Sequence, residues 1–269
     1  LSQTGTQYAI NTLPEEITLA FASNGNSLQR WMQEARRDGH EILLQIPFEP
    51  FDYPANDPGA GTLTVDAGAD SNLADLHTAM ARITNYTGIT NFMGGRFLAD
   101  PEALEPVMRD LAGRGIMFLD DGTSARSLTG KFASTLGIPF AASDMVLDAT
   151  QERGYILSKL DDLERTARRN GTAIGVASAF EVSVDAIATW AEEASARGIE
   201  IVSASAAARR SRADCSARAA PARRSRALAT APRAPSASRI STSATAALSL
   251  VSGSAAIAAS AAALSASAA

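Results

Sequence analysis

A single cysteine, Cys215, only two histidines, His40 and His77, and an aromatic fraction of 6% are the first scarcities of this 269-residue sequence. One cysteine makes no internal disulfide, and a structural zinc site of four Cys or His ligands has nothing to be built from. Two histidines leave little for a histidine-rich metal centre. The uncharged stretch from Ala244 to Ala269 is mostly Ala and Ser, with Ser breaking it every few residues, so it lacks the apolar run of a membrane span. Gly94-Gly95-Arg96 has neither the spacing nor the lysine of a P-loop, so no nucleotide site is expected. There is no Gly-x-Ser-x-Gly elbow. A serine-hydrolase triad would need His40 or His77, which sit before a strand and inside a helix.

Charge is plentiful but divided. Residues 206–269 hold nine Arg and one Asp, a balance of +8, which leaves the first 205 residues 15 basic and 28 acidic side chains, or −13, within a net charge of −5. An acidic body argues against a nucleic-acid footprint. The basic tail has no aromatic residue, Lys or Glu and is largely Ala, Ser and Arg; it reads as low complexity, either disordered or translated out of frame. The sequence therefore divides into a body, 1–205, and a tail, 206–269.

Within the body one pattern recurs: an amphipathic helical stretch, a Gly that ends it, and a short apolar strand. It is clearest at Arg37-Asp38-Gly39-His40, Arg114-Gly115, Asn170-Gly171 and Arg197-Gly198. Gly supplies a left-handed helix end, and the basic residue before it suits the negative pole of the helix. Strands are expected near Ile17–Phe21, Ile42–Ile46, Ile89–Phe92, Met117–Asp120, Phe140–Ala142, Ala173–Val176 and Glu200–Val202. Helices are expected over Ser27–Arg37, Asn72–Asn85, Pro101–Arg114, Ser127–Leu136, Glu152–Asn170 and Val184–Arg197. Apolar strands alternating with helices mean a parallel sheet covered by helices, as a (β/α) barrel or a doubly wound sheet. Trp31 and Trp190 occur at helical spacing among apolar neighbours and are expected to pack in the core.

Both architectures place chemistry just past the carboxyl ends of strands. Polar residues stand there: Gln45 and Glu49, Asn91 and Arg96, Asp120 and Asp121, Asp144 and Asp148, Ser178, Ser203 and Ser205. Glu49 is a candidate to bind a sugar-type hydroxyl or to hold Arg96. Asp120 and Asp121 are a candidate acid/base pair, but neighbours on a strand point to opposite faces, so one of them is expected to be structural.

Three of these segments, Leu43-Leu44-Gln45-Ile46-Pro47-Phe48-Glu49-Pro50, Asn91-Phe92-Met93-Gly94-Gly95-Arg96-Phe97 and Phe118-Leu119-Asp120-Asp121-Gly122-Thr123-Ser124, resemble motifs of the divergent polysaccharide deacetylase family, a branch of the NodB-like carbohydrate esterases. The resemblance runs from about Leu1 to Ser205. It implies a deformed (β/α)7 barrel acting on acetylated polysaccharide of the cell envelope, in the periplasm or tethered to the inner membrane. Active relatives bind a divalent metal, usually zinc, through an Asp and two His. The family's His positions are Gln45, Phe92 and, by apparent match, Ser178 here, and its opening Asp-Asp strand is expected to precede Leu1.

The resemblance therefore implies the family fold with its first strand missing and two strand edges unpaired. An amide oxygen is a poor substitute for imidazole and a benzyl ring has no lone pair, so no metal or other cofactor is expected. A glycan is the expected partner, with a membrane tether in a longer protein and no nucleic acid. Glu49 and Asp120 are the candidate catalytic residues, and Gln45, Asn91, Arg96, Asp121 and Ser178 the candidate substrate contacts. Three alternatives stand open: a family member without its metal, a hydrolase with metal-free chemistry, or a non-catalytic scaffold.

Overall fold

The computed structural model describes residues 3–25, 27–210 and 244–252. Helices and strands alternate along it. In order they are α1 (Gln3–Thr12), β1 (Thr18–Ala22), α2 (Leu28–Arg37), β2 (Ile42–Phe48), α3 (Ala69–Ala81), β3 (Gly88–Met93), α4 (Pro101–Arg114), β4 (Met117–Asp120), α5 (Thr129–Leu136), β5 (Phe140–Ala142), β6 (Met145–Val146), α6 (Arg153–Asn170), β7 (Thr172–Ser178), α7 (Glu181–Ala196), β8 (Ile199–Val202) and β9 (Ala244–Ser252). A further helical stretch covers 204–210.

Local chemistry explains where these elements begin and end. In α2, Leu28, Trp31, Met32 and Ala35 recur at helical spacing and are buried, while Arg36 and Arg37 occupy the last turn. The Asp100 carboxylate accepts the amides of Glu102 (3.0 Å) and Ala103 (2.9 Å) at the start of α4, Pro101 takes the first helical position, and Gly115 closes the helix in the left-handed region. Both tryptophans are buried, as expected, on α2 and α7.

The strands form one parallel sheet in the order β5-β4-β3-β2-β1-β9-β7-β6, with β8 beside β9. The first half of the segment from Phe140 to Val146 pairs with β4 and the second half with β7. Alternation along the strands separates two apolar layers. Leu19, Ile42, Leu44, Ile46, Ile89 and Phe118 pack beneath the helices. Ala20, Leu43, Leu119, Ala141, Ile174 and Val202 form a second cluster on the opposite face, joined by Ala204, Ala207 and Ala208.

Three features differ from the sequence reading. Helix α1 was not expected, since Gln3–Thr12 has little apolar periodicity; it forms by burying Ala9 and Ile10. Its carbonyl at Ile10 lies 3.3 Å from one ring nitrogen of His40, and Ile17 O lies 2.9 Å from the other. His40 is therefore a buried stitch between α1 and β1. The fold also continues past Ser205. Ala204 N donates to Thr18 Oγ1 and Ser205 N to Glu41 Oε1, both at 2.9 Å, fixing 204–210 at the amino ends of β1 and β2.

Most informative is β9, which lies within the tail. The two unpaired edges expected for β1 and β7 are absent, because β9 lies between them: Thr18↔Ser249 to Phe21↔Ser252 on one side and Thr172↔Thr245 to Ser178↔Val251 on the other. Two facing rows of unpaired amides and carbonyls accept any extended segment that reaches them, because backbone pairing is indifferent to side-chain identity. The other residues of the tail beyond 210 lie outside the described residues. A chain ended before Ala244 is expected to expose both edges. Its urea transition should become less cooperative, and light scattering should show aggregation at concentrations where the longer chain remains monodisperse.

Candidate functional site

The ladder between β2 and β3 decides which side chains meet at the carboxyl ends. Gln45 pairs with Thr90 and Pro47 with Phe92, and Thr90 pairs with Leu119 of β4. Leu43 and Leu119 belong to the cluster facing away from the helices, so alternation puts Gln45, Thr90 and Phe92 on that same inner face. Ser178 follows Ile174 and Val176 on the inner face of β7, and Asp121 continues the alternation of Met117 and Leu119. The structure thus gathers Gln45, Phe92, Asp121 and Ser178 on one surface.

This surface is polar where the inner layer beneath it is apolar. Gln45 is only 2% exposed, and its side-chain amide has no hydrogen-bond partner among the described residues. Thr90 Oγ1, beside it, is buried and likewise unpartnered among them. The sequence reading did not include Thr90; its place in the alternation Gly88, Thr90, Phe92 was the available signal.

Other candidates are engaged in building the rim. Glu49 is buried: one carboxylate oxygen takes a hydrogen bond from Arg96 Nη1, and the other accepts Val65 N at 2.6 Å. Its carbonyl accepts the amides of Arg96 and Phe97, at 3.1 and 3.2 Å. Arg96 also reaches the exposed Asp66 at 3.2 Å. The Glu49 hydrogen bond, chiefly, pushes the Arg96 guanidinium pKa up. Asn91 joins two strand ends, donating from Nδ2 to Met93 O (2.8 Å) and accepting Asp121 N on Oδ1 (2.9 Å).

The two adjacent aspartates divide their roles as their geometry requires. Asp120 accepts Gly122 N on Oδ1 (2.9 Å) and the hydroxyls of Ser127 (2.6 Å) and Thr129 on Oδ2, so it shapes the loop into α5. Asp121 uses Oδ1 for the amide (2.9 Å) and hydroxyl (2.7 Å) of Thr123, while its second oxygen has no partner among the described residues. Burial pushes the Asp121 carboxyl above the usual range, against the hydrogen bonds from Thr123 and the influence of the nearby Asn91 side chain.

Asp144 and Asp148 bind the neighbouring wall. Asp144 Oδ2 accepts Ile174 N at 2.8 Å, and Asp148 Oδ2 accepts Ser178 N at 2.7 Å and Ser183 Oγ at 2.9 Å. The second oxygen of Asp148 is buried without a partner among the described residues, and burial raises that carboxyl's pKa.

A zinc centre needs three or four nitrogen, sulfur or carboxylate donors. Gln45 and Phe92 do not provide them, and His40 and His77 are elsewhere, the latter bonded to Asp110 at 2.9 Å. Among the described residues no group of three His, Cys, Asp or Glu is placed to hold a metal ion. The donor set does not fit the metal centre of active relatives.

The sequence profile of a family described as divergent polysaccharide deacetylase matches residues 2–208. The chain belongs to that family. An uncharacterized protein of Agrobacterium tumefaciens C58 with a solved structure is 61% identical, with a TM-score of 0.75 over 77% of this chain and 84% of that one. An uncharacterized Haemophilus influenzae protein is 27% identical over 168 residues, 62% of this chain and 59% of its own length. The uncharacterized protein YibQ of Escherichia coli is 23% identical over 164 residues, 61% of this chain and 51% of its own length. The deacetylase-family chain thus spans little more than half of these two curated relatives. No helix among its described residues is long and apolar enough to cross a membrane.

Two measurements test this geometry. Gly94 has φ +103°, and a Cβ there would lie 2.7 Å from Phe48 Cβ, so Gly94→Ala should cost on the order of 1–3 kcal/mol in denaturant unfolding. For Asp148, a folded pKa above the unfolded value means a stabilisation present in full below about pH 4 and lost as pH rises through the raised value. The unfolding free energy of Asp148→Asn relative to the parent should therefore shift in the variant's favour between pH 4 and 7. A pH-independent difference would contradict it.

Proposed function

We propose that this chain is a cell-envelope, glycan-binding member of the divergent polysaccharide deacetylase family that holds acetylated polysaccharide without the zinc-dependent hydrolysis of active relatives. The observation that carries the reading is the inner-face surface itself, where Gln45, Phe92 and Ser178 stand, the residues that the family resemblance matches to metal-binding histidines. In place of imidazoles it offers the Gln45 amide, the Thr90 hydroxyl and one oxygen of Asp121. A mixture of unengaged donors and acceptors above an apolar layer suits neutral hydroxyl and acetamido groups.

In this reading the sheet is the family's deformed barrel. The Phe140–Val146 segment bridges β4 and β7, and Ala141 and Ile174 share the inner cluster, as a curled sheet requires. Strand β9 occupies the slot of the missing first strand. The family's substrate class puts the protein in the periplasm or on an inner-membrane tether.

A second reading keeps chemistry at the site. The raised pKa and open oxygen of Asp121 suit a general acid, with Glu49 and Asp120 holding the loops that position it.

Titration of tetra-N-acetylchitotetraose into the full chain is expected to show binding that Gln45→Ala weakens, with acetate release at the protein-free level even after Zn²⁺ is added. Stoichiometric zinc uptake with acetate release would overturn the first reading. Metal-free acetate release abolished by Asp121→Asn would establish the second.

A further inference from the structure

The rim carries one aromatic ring that the fold leaves in water. Phe51, three residues past β2, is 60% exposed; apart from Tyr8, no other large apolar side chain among the described residues is classed as exposed. A solvated phenyl ring gives up hydrophobic stabilisation unless something covers it. Phe51 is also held in place. A Cβ at Gly95 would lie 2.9 Å from Cδ2 and Cε2 of the ring, so the absence of a side chain there lets the backbone after β3 support one edge.

From the loop after β4, Arg126 places its guanidinium carbon 5.8 Å from the Phe51 ring centroid, within cation–π range. Arg126 forms no ion pair with any carboxylate among the described residues, whereas Arg96 nearby is matched by Glu49 and Asp66. An exposed ring and an unmatched guanidinium are thus presented together by the three loops that hold Glu49, Arg96 and Asp120. These loops are fixed to each other: Arg96 N donates to Glu49 O, and Leu128 N, two residues past Arg126, donates to Leu98 O at 2.8 Å. The pair is largely pre-organised.

We propose that Phe51 and Arg126 form a subsite for an acidic sugar, the C–H face of the ring stacking on the phenyl group and its carboxylate pairing with the guanidinium. This deepens the glycan reading above and rests on it. Charge complementarity favours the ligand: in a body with a balance of −13, a guanidinium without an ion-pair partner among the described residues is a place where an anionic residue meets a cation. A carboxylated sugar uses both halves of the pair, and a neutral one uses only the ring.

The test titrates the full chain with tri-galacturonate and with its methyl ester. The parent is expected to prefer the acid by on the order of tenfold, a preference that 0.5 M salt reduces. Arg126→Gln should abolish the preference while retaining the ester affinity, and Phe51→Ala should weaken both ligands. An unchanged preference in Arg126→Gln, unchanged binding in Phe51→Ala, or no binding of tri-galacturonate by the parent overturns the subsite. Binding of tetra-N-acetylchitotetraose that responds to Gln45→Ala alongside any of these results leaves the broader reading standing; if neither glycan binds, both fall.

Discussion

The parallel register between β2 and β3 is the constraint on which the candidate site depends. Because side chains alternate, a slip of one residue would send Gln45 under the helices and Ile46 to the inner face. Gly88 helps to hold that register: a Cβ there would lie 2.8 Å from Met117 O and 3.0 Å from Leu43 Cδ2, so β2, β3 and β4 approach closely only where this side chain is missing. With the register fixed, Leu43, Gln45 and Pro47 must share a face, and so must Gly88, Thr90 and Phe92.

Polar residues past the strand ends then separate into two groups by what they already bind. Glu49, Asn91, Asp120 and Asp144 direct their oxygens at backbone amides, hydroxyls or a guanidinium, and they turn a set of loops into a fixed rim. Gln45, Thr90 and the second oxygen of Asp121 have polar atoms with no hydrogen-bond partner among the described residues. Leaving such groups unpartnered beside a packed layer costs stability, typically about 1–3 kcal/mol for a buried group. The same comparison separates Arg96, paired with two carboxylates, from Arg126, which lies over a ring and forms no ion pair among the described residues.

Strand β9 illustrates how weakly backbone pairing depends on sequence. Ala244–Ser252 comes from an Ala/Ser-rich tail, yet it pairs along the facing sides of β1 and β7. What selects it is the demand of two strands for hydrogen-bond partners, a demand that any extended segment without proline can meet.

The amino-acid sequence by itself determined the alternation of helices and strands, because helix ends such as Arg114-Gly115 and apolar runs such as Met117–Asp120 are local signals. It also determined the family, through three separated motifs, and the loss of imidazole at positions 45 and 92. Tertiary structure decided how the two aspartates are held: Asp120 turns onto Ser127 and Thr129 of the loop that follows it, while the Asp121 amide is held by Asn91 from the neighbouring strand. It likewise decided the burial of His40 against α1, the seat of β9, and the meeting of Phe51 with Arg126. Each of these is a contact between residues distant in sequence, and no local pattern encodes which partner a loop or strand edge will find once the chain has closed on itself.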